Sequence, residues 1–308
     1  MDLLARARPL KADGWSGREA EWLALVCGVA GGVFTRGQYC ERYGCRRNAA
    51  RRLVVRLAAA GLAREYPRPG APTNGRFCHV RAARVYRALG LEPPRARVPA
   101  GEQLWRLLLG LDYAAAHPEQ GWIPTLEQGT YFRSLDLDPE MLPRRLYRGA
   151  LVPTEREFPM GYPIAADAGR MTFVYPDPGF ATDRPLRYWA RAHVRLWTAL
   201  RKTGVAVHVV AVTRNGMAAR QHEALLARRV GPVAEGAELN VHERALLDAL
   251  ALAHETGDFK PLDRWAGWLE AGRSGERLRR RQEAAAKGGG WMDGFDTHVA
   301  ITLDAGSV

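Results

Sequence analysis

The chain has 308 residues, 47% of them apolar and 25% charged, and a formal net charge of +12. That balance excludes a disordered polyelectrolyte, and the longest charge-free apolar stretch, Trp22 to Phe34, falls short of the ~18–20 residues that a membrane span needs. The charge is unevenly placed: residues 1–100 hold 19 Lys+Arg against 7 Asp+Glu, whereas the remainder holds 26 of each. A basic segment joined to a neutral one predicts one domain that meets a polyanion and another with a different task. The start, MDLLARARPL, has no apolar run behind its arginines, so a cytoplasmic protein without a secretory signal is expected.

Helix signals follow closely in the basic third. Ser16-Gly-Arg-Glu19 forms a capping box, and Trp22, Leu25, Val26 and Val29 behind it repeat at the spacing of a buried helical stripe. Gly31-Gly32 ends that helix. Thr35-Arg-Gly-Gln38 opens a short second one, closed by Gly44. A third helix runs from Arg46 to Ala60, with Ala50, Leu53, Val54 and Leu57 inward and Gly61 beyond its end. Leu62 to Tyr66 and Arg76 to Val80 read as two strands around the turn-rich loop Pro67 to Gly75.

The four cysteines, Cys27, Cys40, Cys45 and Cys78, include no C-x-x-C pair. A zinc set of Cys40, Cys45, Cys78 and His79 can be drawn, but its spacing is a weak signature. No metal, cofactor or disulfide is expected.

Two short helices, a glycine turn, a basic third helix and a hairpin resemble the winged-helix DNA-binding family over about residues 16–90. The resemblance lies in element order and spacing. It implies that the third helix enters the major groove, where Arg pairs with guanine and Asn with adenine. Arg46, Arg47, Asn48, Arg51 and Arg52 are the candidate contacts to bases and phosphates. Arg64, Arg68 and Arg76 are the candidate backbone contacts on the wing. A winged helix can also serve as a protein-docking module, although docking does not need the excess charge that counterion release rewards.

A helix from Ala82 to Leu89 precedes the proline-rich segment Pro93 to Pro99, which reads as a linker. The expected domains are therefore a winged helix over 1–92, a linker over 93–101, an α/β domain over 102–235, and a helical extension with a terminal strand over 236–308. In the α/β domain, Glu102 to Ala116 predicts a helix, and Thr125-Leu-Glu-Gln128 opens another. Strands are expected over Arg144 to Val152, Arg156 to Ala166 and Met171 to Tyr175, the last broken by Pro176-Asp-Pro-Gly179. A helix over Pro185 to Thr203 and a near-continuous apolar strand over Val205 to Val212 then complete a parallel β-α-β unit. His193 and His208 fall inside this packing, as core residues rather than ligands.

The order αβββαβ resembles the restriction-endonuclease-like PD-(D/E)XK fold over roughly residues 102–215. That resemblance implies a carboxylate on the second strand and an acid-x-Lys on the third, holding Mg²⁺. Asp167 suits the first acid. The third strand carries neither acid nor lysine, and Asp177 follows it with no Lys two residues on. The expectation is a non-cleaving, degenerate domain, with a divergent nuclease built on Asp167 and Asp177 as the alternative.

Downstream, Asn240-Val-His-Glu243 opens a helix to about His254, a short helix follows over Lys260 to Glu270, and a polar one over Gly275 to Lys287 carries Arg277, Arg279, Arg280 and Arg281. Thr297 to Leu303 is a final strand. The combined expectation is an α+β, sequence-specific double-stranded DNA-binding protein: a dimeric transcriptional regulator without catalysis, contacting a protein partner through its C-terminal part. The two resemblances together also suit plasmid or mobile-element replication and mobilisation accessory proteins.

Overall fold

The structure is a computed structural model that describes residues 3–69, 75–93, 98–147, 154–179, 183–227, 241–265, 267–286 and 295–303. It is a mixed α+β protein with two compact units, Met1–Ala227 together with Gly294–Val308, and Arg228–Asp293. Among the described residues no helix is long and apolar enough to cross a membrane.

In the first unit, α1 (Arg8–Ala12) precedes α2 (Gly17–Val29), whose capping box joins Ser16 and Glu19 reciprocally. A strand absent from the sequence reading, β1 (Val33–Phe34), leads into α3 (Arg36–Tyr43), capped by Thr35 and Gln38. Next come α4 (Arg47–Ala59), β2 (Ala63–Pro67), β3 (Arg76–Val80) and α5 (Ala83–Ala88). The strands form a three-stranded sheet in the order β1-β3-β2. Gly32 lets β1 approach β3, because with φ +88° any Cβ would sit 2.3 Å from the Val80 carbonyl oxygen. The tip of the hairpin loop, 70–74, and residues 94–97 of the expected linker lie outside the described residues.

Helix α6 (Gly101–Ala116) is followed by β4 (Trp122–Ile123) and α7 (Gln128–Arg133). Among the described residues, strands β5 (Arg144–Tyr147) and β6 (Thr154–Glu157) pair only with each other, and β7 (Ile164–Asp167) and β8 (Arg170–Asp177) form the next hairpin. After α8 (Asp183–Lys202) come β9 (Ala206–Thr213) and α9 (Gly216–Ala227). The terminal strand β10 (Thr297–Thr302) runs parallel to β9, from Thr297 opposite His208 to Thr302 opposite Thr213. The main sheet has the order β10-β9-β8-β7-β4, with β8, β9 and β10 parallel and β7 antiparallel to both neighbours.

Several expectations need correction. The run over 156–166 divides: its first residues belong to the β5–β6 ribbon and its last to the main sheet, with Gly161 at φ +57° and Pro163 between them. Strand β8 continues through Pro176, which pairs with Val212 of β9 and whose carbonyl accepts from Arg106. Helix α7 begins at Gln128 with Glu127 at its N-cap and no side-chain cap, so the expected capping by Thr125 is not formed.

The boundary drawn at 93–101 does not separate two cores. Trp22, Leu53, Leu108, Val174 and Val210 belong to one apolar cluster, because α6 is covered by the N-terminal helices on one side and by the sheet on the other. The final strand likewise belongs to this unit, since an open edge of β9 gains its hydrogen-bond ladder from it.

The second unit contains α10 (Val241–Thr256), a 3-10 turn at Lys260–Trp265 and α11 (Trp268–Ala286). Its small core is Leu246, Ala249, Leu250, Ala253, Leu262, Ala271 and Leu278. The first helix expected here is a 3-10 turn over Lys260–Trp265, and α11 begins seven residues before the expected start at Gly275, where a Cβ would meet Leu250 at 2.2 Å. The capping residue Asn240 lies outside the described residues.

Candidate nucleic-acid interface

Helix α4 is the amphipathic element on which the basic row stands. Ala50, Leu53, Val54 and Leu57 are buried, so the 100° step of a helix turns Asn48, Arg51 and Arg52 to the opposite side. Arg46 is the extended residue at the helix start (φ −70°, ψ 152°), and Gly44 makes the left-handed turn before it at φ +56°. Arg46, Arg47, Asn48, Arg51 and Arg52 are all exposed. None of these arginines makes an ion pair among the described residues. Sequence reading overlooked Val55, which is 55% exposed in the middle of the same face. The helical wheel alone would have singled it out as apolar and outward.

Other arginines of this region are committed to the fold. Arg36 grips Glu65 with two hydrogen bonds of 3.0 and 2.6 Å, tying the start of α3 to β2. Arg56 lies 4.1 Å from the Trp15 ring centre and bonds Glu19 at 2.9 Å. Trp22 packs edge-on against Tyr39 and Tyr43 at 5.7 and 6.3 Å, which sets α3 on α2. The basic row of α4 is therefore presented from a rigid base.

The hairpin residues separate. Arg64 is exposed on β2. Arg76 is exposed opposite Pro67 and lies 3.9 Å from Glu65. Arg68 departs from its expected place as a backbone contact. It turns inward, 5.1 Å from the Trp105 ring centre on α6, where Arg214 shares the same indole at 4.5 Å. Burial lowers the pKa of both guanidinium groups, with nearby Asp112 acting against it. A planar cation gains from stacking on a flat, half-desolvated indole, and this turns Arg68 towards α6.

The zinc set does not converge. Cys78 and His79 are successive residues of β3 and point to opposite faces, both buried. Burial, with Arg81 nearby, lowers the His79 pKa to about 4. All four cysteines are free thiols, and among the described residues no cluster of three His, Cys, Asp or Glu side chains could hold a metal ion.

The two acids considered for cleavage stand far apart. Asp167 lies opposite Arg170 across the β7–β8 pair, while Asp177 is seven residues farther along β8, about 23 Å away. They cannot share one metal ion. Asp167 accepts from the Gly121 amide at 3.0 Å. Asp177 is not in a turn but fully buried at the end of β8, 2.7 Å from His222 Nε2 and accepting from the Gly179 amide at 3.0 Å. Beside it, Arg106 bonds the Pro176 carbonyl and Glu102 and lies over the rings of Tyr162 and Tyr175.

His193 is buried with Nδ1 2.8 Å from the Trp189 carbonyl, and burial lowers its pKa to about 4. His208 is half-buried with Nδ1 2.7 Å from the Thr297 hydroxyl. No family model, curated protein or solved structure matches the chain in comparisons with known proteins.

Proposed function

We propose that the chain is a sequence-specific double-stranded DNA-binding protein, acting as a dimeric transcriptional regulator in which α2 to β3 is a winged helix and α4 is its reading helix. The observation that carries this reading is the outer face of α4. It carries Asn48, Arg51, Arg52 and Val55 in a row without an acid, exposed, next to the hairpin strand that carries Arg64. Arginine and asparagine supply bidentate donors for guanine and adenine, and an outward valine supplies an apolar contact for the thymine methyl group. The element order α2-β1-α3-α4-β2-β3, with β1 closing the small sheet, supports the winged-helix reading.

With α7 and the β5–β6 ribbon inserted between β4 and β7, the order α6-β4-β7-β8-α8-β9 supports a restriction-endonuclease-like sheet beneath it. In this reading the sheet is a scaffold, with the Asp177–His222 pair used for packing. A two-fold homodimer on inverted half-sites completes the proposal. Capture of genomic fragments by the purified chain, followed by anisotropy titration of the recovered motif, tests it. A recovered motif whose binding weakens on Arg51→Ala supports the reading, and capture without any shared motif overturns it.

A further inference from the structure

The neutrality of residues 101–308 conceals a second charged face. Helix α8 carries six cations, Arg184, Arg187, Arg191, Arg195, Arg201 and Lys202, against the single acid Asp183. Its buried stripe is Leu186, Trp189, Ala190, His193, Leu196, Trp197 and Leu200. The alternate positions 184, 188, 191, 195, 198 and 202 form one exposed row. At 1.5 Å per residue this row is about 27 Å long. Arg184, Arg191, Arg195 and Lys202 stand on it, with Tyr188 51% exposed between the first two. Arg201, at the edge of the row, pairs with Asp296 at 2.9 Å.

The layers of the fold put this row away from α4. Phe173 and Tyr175 of β8 point to α8, with Phe173 5.7 Å from Trp197 and Tyr175 5.3 Å from Trp189. Val174, between them, belongs to the core on the other face, together with Leu104 and Leu108 of α6 and Leu53 of α4. The sheet thus lies between the two basic rows.

We propose that the outer face of α8 is a second, sequence-independent binding surface for a phosphodiester backbone, so that one chain holds two segments of nucleic acid on opposite sides of its sheet. A straight row of cations about 27 Å long suits a polymer with regularly spaced phosphates. A single small anion would meet only one or two of these side chains. Four cations spread along one straight row follow the phosphates of a backbone, and such contacts carry no sequence information.

The test uses the full chain and the variant Arg184→Gln/Arg195→Gln/Lys202→Gln, whose three positions are exposed and outside the core. Bead-bound duplex loaded with protein is challenged with a second labelled duplex or a labelled single strand, over a salt series. The expected result is capture of the second nucleic acid by the wild type and at least tenfold less by the triple variant. The salt slope of binding to random-sequence duplex should also fall by about 2–3 units.

Unchanged capture and slope in the triple variant overturn the proposal, as does capture of an acidic polypeptide with no capture of either nucleic acid. The two arms identify the backbone form that α8 prefers. An Arg51→Gln/Arg52→Gln variant separates the two surfaces. If it binds DNA as the wild type does while the α8 variant loses binding, the reading of α4 fails and that of α8 stands.

Discussion

Gln38 on α3 donates its side-chain amide to the Asp112 carboxylate of α6 at 2.6 Å, and to the Leu108 carbonyl at 2.8 Å. One residue thus joins the segment that presents α4 to the helix that underlies the main sheet. Replacing Gln38 by Leu leaves a desolvated carboxylate without its donor, and should cost about 1–3 kcal/mol in a urea denaturation series.

Burial raises the Asp112 pKa to about 7; the Gln38 bond, Arg214 and Arg68 act against this, while Glu41 adds to it. The folded chain therefore keeps a proton that the unfolded chain releases near pH 4. The Asp112 contribution is full below pH 4 and is lost as pH rises through 7. It amounts to at most about 4 kcal/mol, less what solvent restores. His79 and His193 act in the opposite sense, since their lowered values make the fold lose stability as pH falls from 6.5 to 4. The difference between wild type and Asp112→Asn isolates the carboxyl: the variant should gain relative stability between pH 4 and 7 and show no further change above that range.

On α4, Asn48→Ala and Arg51→Ala should each relax selectivity at one position of the bound site by about 1–3 kcal/mol. An arginine that touches only phosphate should instead weaken all sequences alike and lower the salt slope by about one unit. Anisotropy titrations on the recovered site and on its single-base variants separate the two kinds of contact. Uniform loss for every α4 substitution would remove base reading from this helix.

The hairpin arginines should behave differently from each other. Arg64→Ala should lower the salt slope of DNA binding by about one unit and leave the thermal midpoint unchanged. Arg68→Ala removes a cation from the Trp105 face and should cost about 0.5–2 kcal/mol of stability with little change in slope. Thermal melts beside salt titrations measure both effects.

His222→Leu leaves Asp177 buried without its partner and should destabilise the fold by about 3 kcal/mol or more. Asp177→Asn should cost less, about 1 kcal/mol, because an amide oxygen still accepts from Gly179 and the imidazole can exchange tautomers. Equal losses for the two variants, measured by chemical denaturation, would show that the contact acts through shape alone.

Much of the N-terminal part was legible in order of residues because its signals are local. Capping boxes, a four-residue stripe and glycines at helix ends depend on neighbours within one or two turns, so α2, α3, α4, β2 and β3 followed from spacing. The row on α4 was legible for the same reason, since a helix of known phase has a known outer face.

Sequence by itself determined the basic third, the phase of its helices and the lack of an acid-x-Lys pair on the third strand. Only the tertiary structure decided which arginines are held by partners within the fold. Arg36, Arg56 and Arg68 are engaged by Glu65, Trp15 and Trp105, residues 29, 41 and 37 positions away, and Arg68 alone of the three turns inward; no local pattern records such partners. It also decided that β1 and β4 are strands, because two residues become a strand when a distant edge offers its hydrogen bonds, and that the final strand pairs with β9. The register of β7 on β8 set Asp167 and Asp177 at opposite ends, and the folding of α8 onto one face of the sheet turned a neutral stretch into a charged surface. Net charge is a sum along the chain, while a binding face is a selection made by packing.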